Sequence, residues 1–271
     1  MTYSASMTID YSTQTTLITG ASAGIGVAIA RQLAARGSDL VLVARRADRL
    51  EALAAELAAE HGITATAVPF DLGIPAAGRT LAAELESRGI TITSLVNNAG
   101  FGTWGEFTDE NPDQLEQMIA LNVTALVDLS LAFIAPLKQN GTGILVNVAS
   151  LAAYQPSPRM AVYAATKAFV LSFTEALWYE SRDSGLRVLC LSPGATSSEF
   201  FEVVGTDEAS GGSSMQTPEQ VATTMVRTLD RRRSVPSVAS GAQNAAIAAI
   251  VKLIPRRATV VAMGRLTGRR P

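Results

Sequence analysis

The stretch "TLITGASAGIGVAIA", Thr16 to Ala30, joins a β-branched apolar run to a helix-forming run through a glycine-rich turn. Gly20, Gly24 and Gly26 lie in that turn, where the absence of side chains lets the backbone approach a bound group closely. The helix that follows presents unpaired N–H groups and the positive end of its dipole to an anion. A strand, a glycine turn and a helix in this order predict a site for the pyrophosphate of a dinucleotide.

The alternation of strand and helix patterns continues along the chain. Short apolar runs are separated by Ala- and Leu-rich helical patterns, and several of these patterns end at a glycine, as at Gly62 and Gly185. Strands that are apolar on both faces and are separated by helices form a parallel sheet covered on both sides. We therefore predict an α/β, doubly wound Rossmann-type fold, with a parallel sheet and helices on both faces, as a single domain over residues 1–271. The predicted strands lie within residues 15–20, 39–44, 64–70, 93–100, 143–150 and 186–192.

The composition indicates a folded, cytosolic protein. The 271 residues are 48% hydrophobic and 17% charged, which is typical of globular domains. The single cysteine, Cys190, lies in an apolar run and is expected to be buried, and no intrachain disulfide can form. No uncharged apolar stretch is long enough to span a membrane. No group of side chains has metal-ligand spacing, so we predict no metal site.

The end of the second strand, "LVLVARRADRL", indicates which dinucleotide binds. An NAD-binding protein usually has an acid here that accepts hydrogen bonds from the ribose 2′-hydroxyl, but this chain has Ala44. Arg45 and Arg46 follow, and a guanidinium binds a 2′-phosphate that an acid would repel. We predict NADP(H) as cofactor; the alternative is two solvated arginines at a helix start.

With these features in place, the chain resembles the short-chain dehydrogenase/reductase family from about residue 15 to residue 200. The resemblance is carried by several motifs in family order and spacing. These are "TGASAGIG", "FDL" with Asp71, "NNAG" (97–100), "LNVT" with Asn122, "VNVAS" with Ser150, "YAATK" with Tyr163 and Lys167, and "SPG" with Pro193 and Gly194.

The resemblance implies roles for individual residues. Asn122, Ser150, Tyr163 and Lys167 would be catalytic, with Asn122 holding a water near the lysine. Asp71 and Leu72 would contact the adenine, and Ser198 stands where the family commonly has Thr for the carboxamide. The complete predicted cofactor site is Gly20, Ser22, Gly24, Ile25, Gly26, Arg45, Arg46, Asp71, Leu72, Asn98, Ala99, Gly100, Tyr163, Lys167, Pro193, Gly194, Thr196 and Ser198.

The spacing of Tyr163 and Lys167 fits proton transfer. Reduction of a carbonyl by hydride leaves an alkoxide that needs a proton, and a phenol with an ordinary pKa near 10 donates and accepts protons poorly at neutral pH. A cation one helical turn away favours the phenolate, so we expect Lys167 to lower the pKa of Tyr163. Ser150 can supply a hydroxyl to the carbonyl oxygen.

These residues predict an NADP(H)-dependent oxidoreductase that interconverts a carbonyl and an alcohol on a small, apolar molecule. The alternative is a catalytically silent cofactor-binding sensor or scaffold, but such proteins usually lose the serine, tyrosine or lysine, and all three are present. Oxoacyl thioesters, steroid-like ketones and small xenobiotic ketones stay open as substrates. We expect residues 197–217 to form a mobile lid, with Phe200 and Phe201 available to line a pocket.

Two further surfaces are expected to make contacts. The Tyr163 helix and the pattern from Asp113 to Lys138 are apolar on more than one side, which favours a homodimer or homotetramer. Residues 231–271 hold nine Lys or Arg and no Asp or Glu, and Pro255 divides their apolar pattern into two short helices. This basic amphipathic segment could lie on an anionic membrane surface. The interpretation we favour is that its apolar residues complete the core or a subunit contact while its basic residues are solvated. We predict no nucleic acid binding, because no aromatic residue lies among these charges to stack on bases.

Overall fold

The computed structural model describes residues 9–206 and 215–267 and has a seven-stranded parallel sheet with the strand order β3-β2-β1-β4-β5-β6-β7. The strands are β1 Thr15–Thr19, β2 Asp39–Ala44, β3 Ala65–Pro69, β4 Ser94–Asn97, β5 Ile144–Val148, β6 Arg187–Ser192 and β7 Ser237–Ala239. Each of the six predicted strands is present. The seventh, β7, was missed because it has only three residues, all of them half-buried, and no apolar run marks it.

Helices cover both faces of this sheet. They are α1 Gly24–Ala34, α2 Ala47–His61, α3 Ala77–Ser87, α4 Pro112–Ile119, α5 Leu126–Asn140, α6 Ala161–Glu180, α7 Phe200–Val204, α8 Pro218–Leu229, α9 Ala242–Val251 and α10 Arg256–Thr267. Helices α1, α2 and α8 bury leucine, isoleucine, valine and methionine against one face. Helices α3, α5 and α6 pack on the other. The predicted doubly wound fold is confirmed.

The order of the strands determines where a ligand can bind. The chain builds outward from β1 through β2 to β3, then returns to place β4 on the other side of β1. In such sheets the carboxyl ends of the strands on either side of this reversal leave a crevice between their loops. The glycine turn after β1 and the "NNAG" segment after β4 both lie at that crevice.

The continuous helical stretch of residues 112–140 comprises α4, a π-helical segment at Ala120–Ala125, and α5. It is long and apolar enough to cross a membrane by length and composition, with a mean hydropathy of 2.0 in its most apolar part. In the fold it is a core helix, because Leu129, Phe133 and Leu137 are buried against the sheet. Packing on the sheet therefore explains part of its apolar composition, while Ile119 and Leu131 stay exposed.

The last third of the chain adds α8 to the face of the sheet that α1 covers and continues through β7 to α9 and α10. Helix α8 begins at Pro218 as predicted, with Thr217 and Gln220 forming a capping box. The predicted division of the tail at Pro255 is confirmed, since α9 ends and α10 begins on either side of it. Of the predicted lid, residues 207–214 lie outside the described residues. Cys190 is buried, as expected.

Candidate active site

The glycine turn is shaped by contacts that leave no room for side chains. Gly20 and Gly24 have φ values of 66° and 53°, in the left-handed region that favours glycine. A Cβ on Gly26 would lie 2.3 Å from the carbonyl oxygen of Gly20. The first turn of α1 therefore packs directly against the backbone of the loop.

The start of α1 has the features of a phosphate site. Ala23, the residue before the helix, accepts no hydrogen bond through its side chain from the first turn. The N–H groups of that turn therefore stay available for an anion. The Nδ2 of Asn98 donates to the carbonyl oxygens of Thr19 and Gly20 at 3.0 and 3.3 Å. Asn98 thus fixes the glycine loop from the neighbouring strand end, and these residues fit the pyrophosphate of a dinucleotide.

The two arginines after β2 differ in their surroundings. Arg45 is exposed at the rim of the cavity. Arg46 donates to the Ser22 hydroxyl from Nε at 3.1 Å and from Nη2 at 2.9 Å, and its Nη1 forms an ion pair with Glu199 at 2.8 Å. Arg46 therefore joins the glycine loop to the segment after Pro193, a contact that sequence patterns do not reveal.

The catalytic candidates converge at the carboxyl ends of β4 and β5. Ser150 follows β5 and accepts a hydrogen bond from the N–H of Ala152 at 3.1 Å. Tyr163 and Lys167 are buried on α6, and the ammonium lies 5.8 Å from the centroid of the tyrosine ring. The Nζ of Lys167 donates to the carbonyl of Val148 at 2.9 Å, which anchors the lysine to the strand that carries Ser150.

The pKa values correct one expectation. Burial raises the pKa of Tyr163 to about 12, and hydrogen bonding to Ser150 opposes this rise only in part. Burial also lowers the pKa of Lys167 to about 8. The expected lowering of the Tyr163 pKa by Lys167 is therefore wrong for the structure as it stands, because desolvation of the phenolate is the larger effect. At neutral pH the phenol holds its proton, as a proton donor must.

Asn122 lies in the π-helical segment, an irregularity that often marks functional sites. Its side-chain carbonyl accepts from the N–H of Phe101 at 3.1 Å, and its amide donates to the carbonyl of Phe101 at 2.9 Å. A Cβ on Gly100 would lie 2.9 Å from the Asn122 oxygen and 3.3 Å from the Lys167 ammonium. The asparagine and the lysine thus approach the same backbone position.

Most of the predicted site residues line one cavity of about 1080 Å³. All predicted catalytic and cofactor residues line it except Gly26 and Asn122, which support residues that do. The lining residues that the sequence did not assign to the site include Phe101, Met160, Ile247, Val251, Met263 and Leu266. The last four belong to α9 and α10, so the basic tail forms part of the cavity wall.

Comparison with known proteins identifies the family. The family model described as short chain dehydrogenase matches residues 14–209. Sulfoacetaldehyde reductase 2 of Chromohalobacter salexigens is 37% identical over 196 residues, which are 71% of this chain and 77% of that protein. The chain therefore belongs to the short-chain dehydrogenase family of oxidoreductases.

Solved structures agree with this assignment. A short-chain dehydrogenase from Sphingobium yanoikuyae in complex with NADPH is 34% identical, with a TM-score of 0.79, and the match covers 95% of this chain and 96% of that one. The bulky-bulky ketone specific alcohol dehydrogenase from Comamonas testosteroni is 29% identical, with a TM-score of 0.73 and coverage of 93% and 92%.

Proposed function

We propose that the protein is an NADP(H)-dependent oxidoreductase that reduces bulky, apolar ketones to secondary alcohols. The observation that carries the proposal is the meeting of Ser150, Tyr163 and Lys167 in one cavity with the glycine loop at the start of α1. A silent sensor or scaffold has no need of these three groups, and no observation favours that alternative.

The proposed chemistry assigns each group one task. The bound cofactor supplies hydride at the nicotinamide. Tyr163, protonated at neutral pH because burial raises its pKa to about 12, donates the proton that the alkoxide needs. The Ser150 hydroxyl donates to the carbonyl oxygen as negative charge develops there. The Lys167 ammonium, beside the tyrosine ring, stabilises the phenolate that remains after proton transfer.

The choice of NADP(H) rests on the end of β2. Ala44 presents no carboxylate to a ribose, and both following arginines line the cavity. Arg46 lies against Ser22 of the glycine loop, so its guanidinium is close to where the adenosine ribose would be held. A 2′-phosphate at this point would gain charge-assisted hydrogen bonds that NADH cannot make.

The lining of the cavity supports the substrate class. Among the described lining residues only Arg45, Arg46 and Lys167 are basic, and all three belong to the cofactor or catalytic positions. The wall beyond these positions holds eight large apolar residues, with Gln117, Gln155 and Ser157 as polar members. The apolar residues are Phe101, Trp104, Met160, Phe200, Ile247, Val251, Met263 and Leu266. Such a wall favours a bulky apolar ketone over a small anion of the kind named for the sulfoacetaldehyde reductase relative.

A panel of ketones and aldehydes graded by size and charge, followed through the absorbance of the reduced nicotinamide, tests this function. We expect turnover of bulky apolar ketones with NADPH, loss of turnover in Tyr163→Phe, and normal turnover in Tyr179→Phe. The second variant is a matched control, because Tyr179 lies on the same helix but is 61% exposed. Preference for small anionic aldehydes would contradict the substrate class.

The exposed apolar side chains of α4, α5 and α6 support a subunit contact. Those concerned are Ile119, Leu131 and Phe169. Large exposed apolar residues grouped on adjoining helices are typical of protein interfaces. We assign this surface to a homodimer, alone or as half of a homotetramer, and a monomer by light scattering at micromolar concentration would contradict it.

We further propose that the enzyme is cytosolic and that its tail makes reversible contact with anionic membranes, in place of the purely structural role that the sequence favoured. Among the described residues, six of the large apolar side chains left exposed lie in α9, α10 or the turn between them: Ile250, Leu253, Ile254, Val260, Val261 and Leu266. Lys252, Arg256, Arg257 and Arg265 are exposed among them, without acidic neighbours in the tail. A second copy bound symmetrically here would bring like charges together, whereas an anionic lipid surface complements both features.

A further inference from the structure

Glu199, in the segment between Pro193 and α7, is shared by two arginines. One carboxylate oxygen pairs with Arg46 at 2.8 Å and the other with Arg49 on α2. Hydrogen bonds from Arg49 and then Arg46 hold the pKa of this carboxyl below its usual range, so it is ionised at neutral pH. Its side chain is 37% exposed, which leaves the pair within reach of a competing anion.

Arg46 is the point where this ion pair meets the proposed cofactor site. The guanidinium of Arg46 contacts Ser22 of the glycine loop on one side and Glu199 on the other. On the proposed function, the 2′-phosphate of NADPH binds this same guanidinium. A phosphate and a carboxylate cannot both approach it closely without repelling each other, since each is negatively charged.

We infer that Glu199 is a specificity-determining residue that competes with the 2′-phosphate of NADPH for Arg46. Binding of NADPH must displace one of the two ion pairs of Glu199, whereas binding of NADH need not. When NADPH is bound, Glu199 keeps its ion pair with Arg49, so the carboxylate stays ionised and is not left without a cationic partner. The Glu199 carboxylate therefore lowers the affinity for NADPH but not for NADH, and so reduces the preference for NADPH that Arg45 and Arg46 create.

Affinity measurements on Glu199→Gln test this competition. Because a partly exposed ion pair contributes about 1 kcal/mol or less, we expect the variant to bind NADP⁺ roughly 2-fold to 5-fold more tightly, and its affinity for NAD⁺ to stay unchanged. Adenosine 2′,5′-bisphosphate should show the same gain and adenosine 5′-monophosphate none, because only the former presents the phosphate. Glu202→Gln is the control: Glu202 is exposed three residues further on and makes no ion pair within the described residues.

The outcomes separate this inference from the proposed function. Wild-type protein that binds NADP⁺ no better than NAD⁺ would contradict the cofactor assignment and the inference with it. Suppose that the wild type clearly prefers NADP⁺ and that Glu199→Gln leaves this preference unchanged or lowers it. Either result would overturn the inference alone, and a lower preference would mean that Glu199 positions the arginines for the phosphate. Thermal unfolding identifies a variant that fails to fold, and Glu199→Asp, with its shorter reach, should then give the same gain.

Discussion

The glycine loop offers a sharp test of the cofactor site through Gly26→Ala. The added Cβ would lie 2.3 Å from the Gly20 carbonyl oxygen and 2.8 Å from Nδ2 of Asn98. An ordinary carbon–oxygen contact needs about 1 Å more, and the opposing atom is backbone, so the loop itself must move. Because a displacement of about 1 Å in a binding site can cost 10²-fold, we expect kcat/KM for NADPH to fall about 100-fold. Overpacking should also lower the free energy of unfolding by about 1–3 kcal/mol.

Gly62→Ala is the matched control for this experiment. Gly62 has a φ of 68° at the end of α2, and no atom of the described residues lies within 4 Å of the position that an added methyl group would take. The control should lose about 1 kcal/mol of stability and keep its kcat/KM. Steady-state kinetics and calorimetric titration of NADPH, with thermal unfolding as a check, make the comparison. If Gly26→Ala folds and keeps kcat/KM within about 3-fold of the wild type, the loop does not hold the pyrophosphate.

Three further changes probe the cofactor, the lysine and the tail. Arg45→Ala should weaken NADPH binding about 10-fold and leave NADH unchanged, because only NADPH has the 2′-phosphate; equal losses in titration would refute the assignment. Ketone reduction should fall as pH rises through about 8, since the Lys167 ammonium with its lowered pKa then loses its proton, and Lys167→Arg should shift that break to higher pH in a kcat/KM profile. The intact protein should co-sediment with anionic but not neutral vesicles, and binding should weaken with salt and disappear on truncation at Ser240; no binding at low salt would show that the tail serves structure alone.

The sequence predicted those parts of the fold that local patterns encode. The strands from β1 to β6 are continuous apolar runs, and Gly62, at the end of α2, has the left-handed conformation expected of a helix-ending glycine. Ser150 and the glycine loop follow strand ends, so the parallel topology brings them to one edge of the sheet, and the spacing of Tyr163 and Lys167 places them one helical turn apart on α6. The position of the ligand-binding crevice then follows from the strand order of such a fold.

Features that depend on contacts between distant segments could not be predicted. The ion pair of Arg46 with Glu199 spans 153 residues, and neither side chain has a distinctive local pattern. The π-helical segment around Asn122 and the φ of 68° at Arg159 are backbone states that the surrounding packing imposes. The pKa of Tyr163 was misjudged because the sequence shows the nearby lysine but not the depth of burial. The sequence showed that the tail is amphipathic, but only the folded structure shows that residues of α9 and α10 line the cavity.

Tyr163→Phe gives the most direct test of the central claim that Tyr163 donates the proton in a carbonyl reduction. The substitution keeps the ring, whose centroid lies 5.4 Å from that of Phe200, and removes the hydroxyl that carries the transferable proton. With a bulky ketone and NADPH, kcat should fall about 10²–10⁴-fold while the dissociation constant for NADPH stays within about 3-fold of the wild-type value. Retention of more than about a tenth of the wild-type kcat in a folded variant would contradict the account.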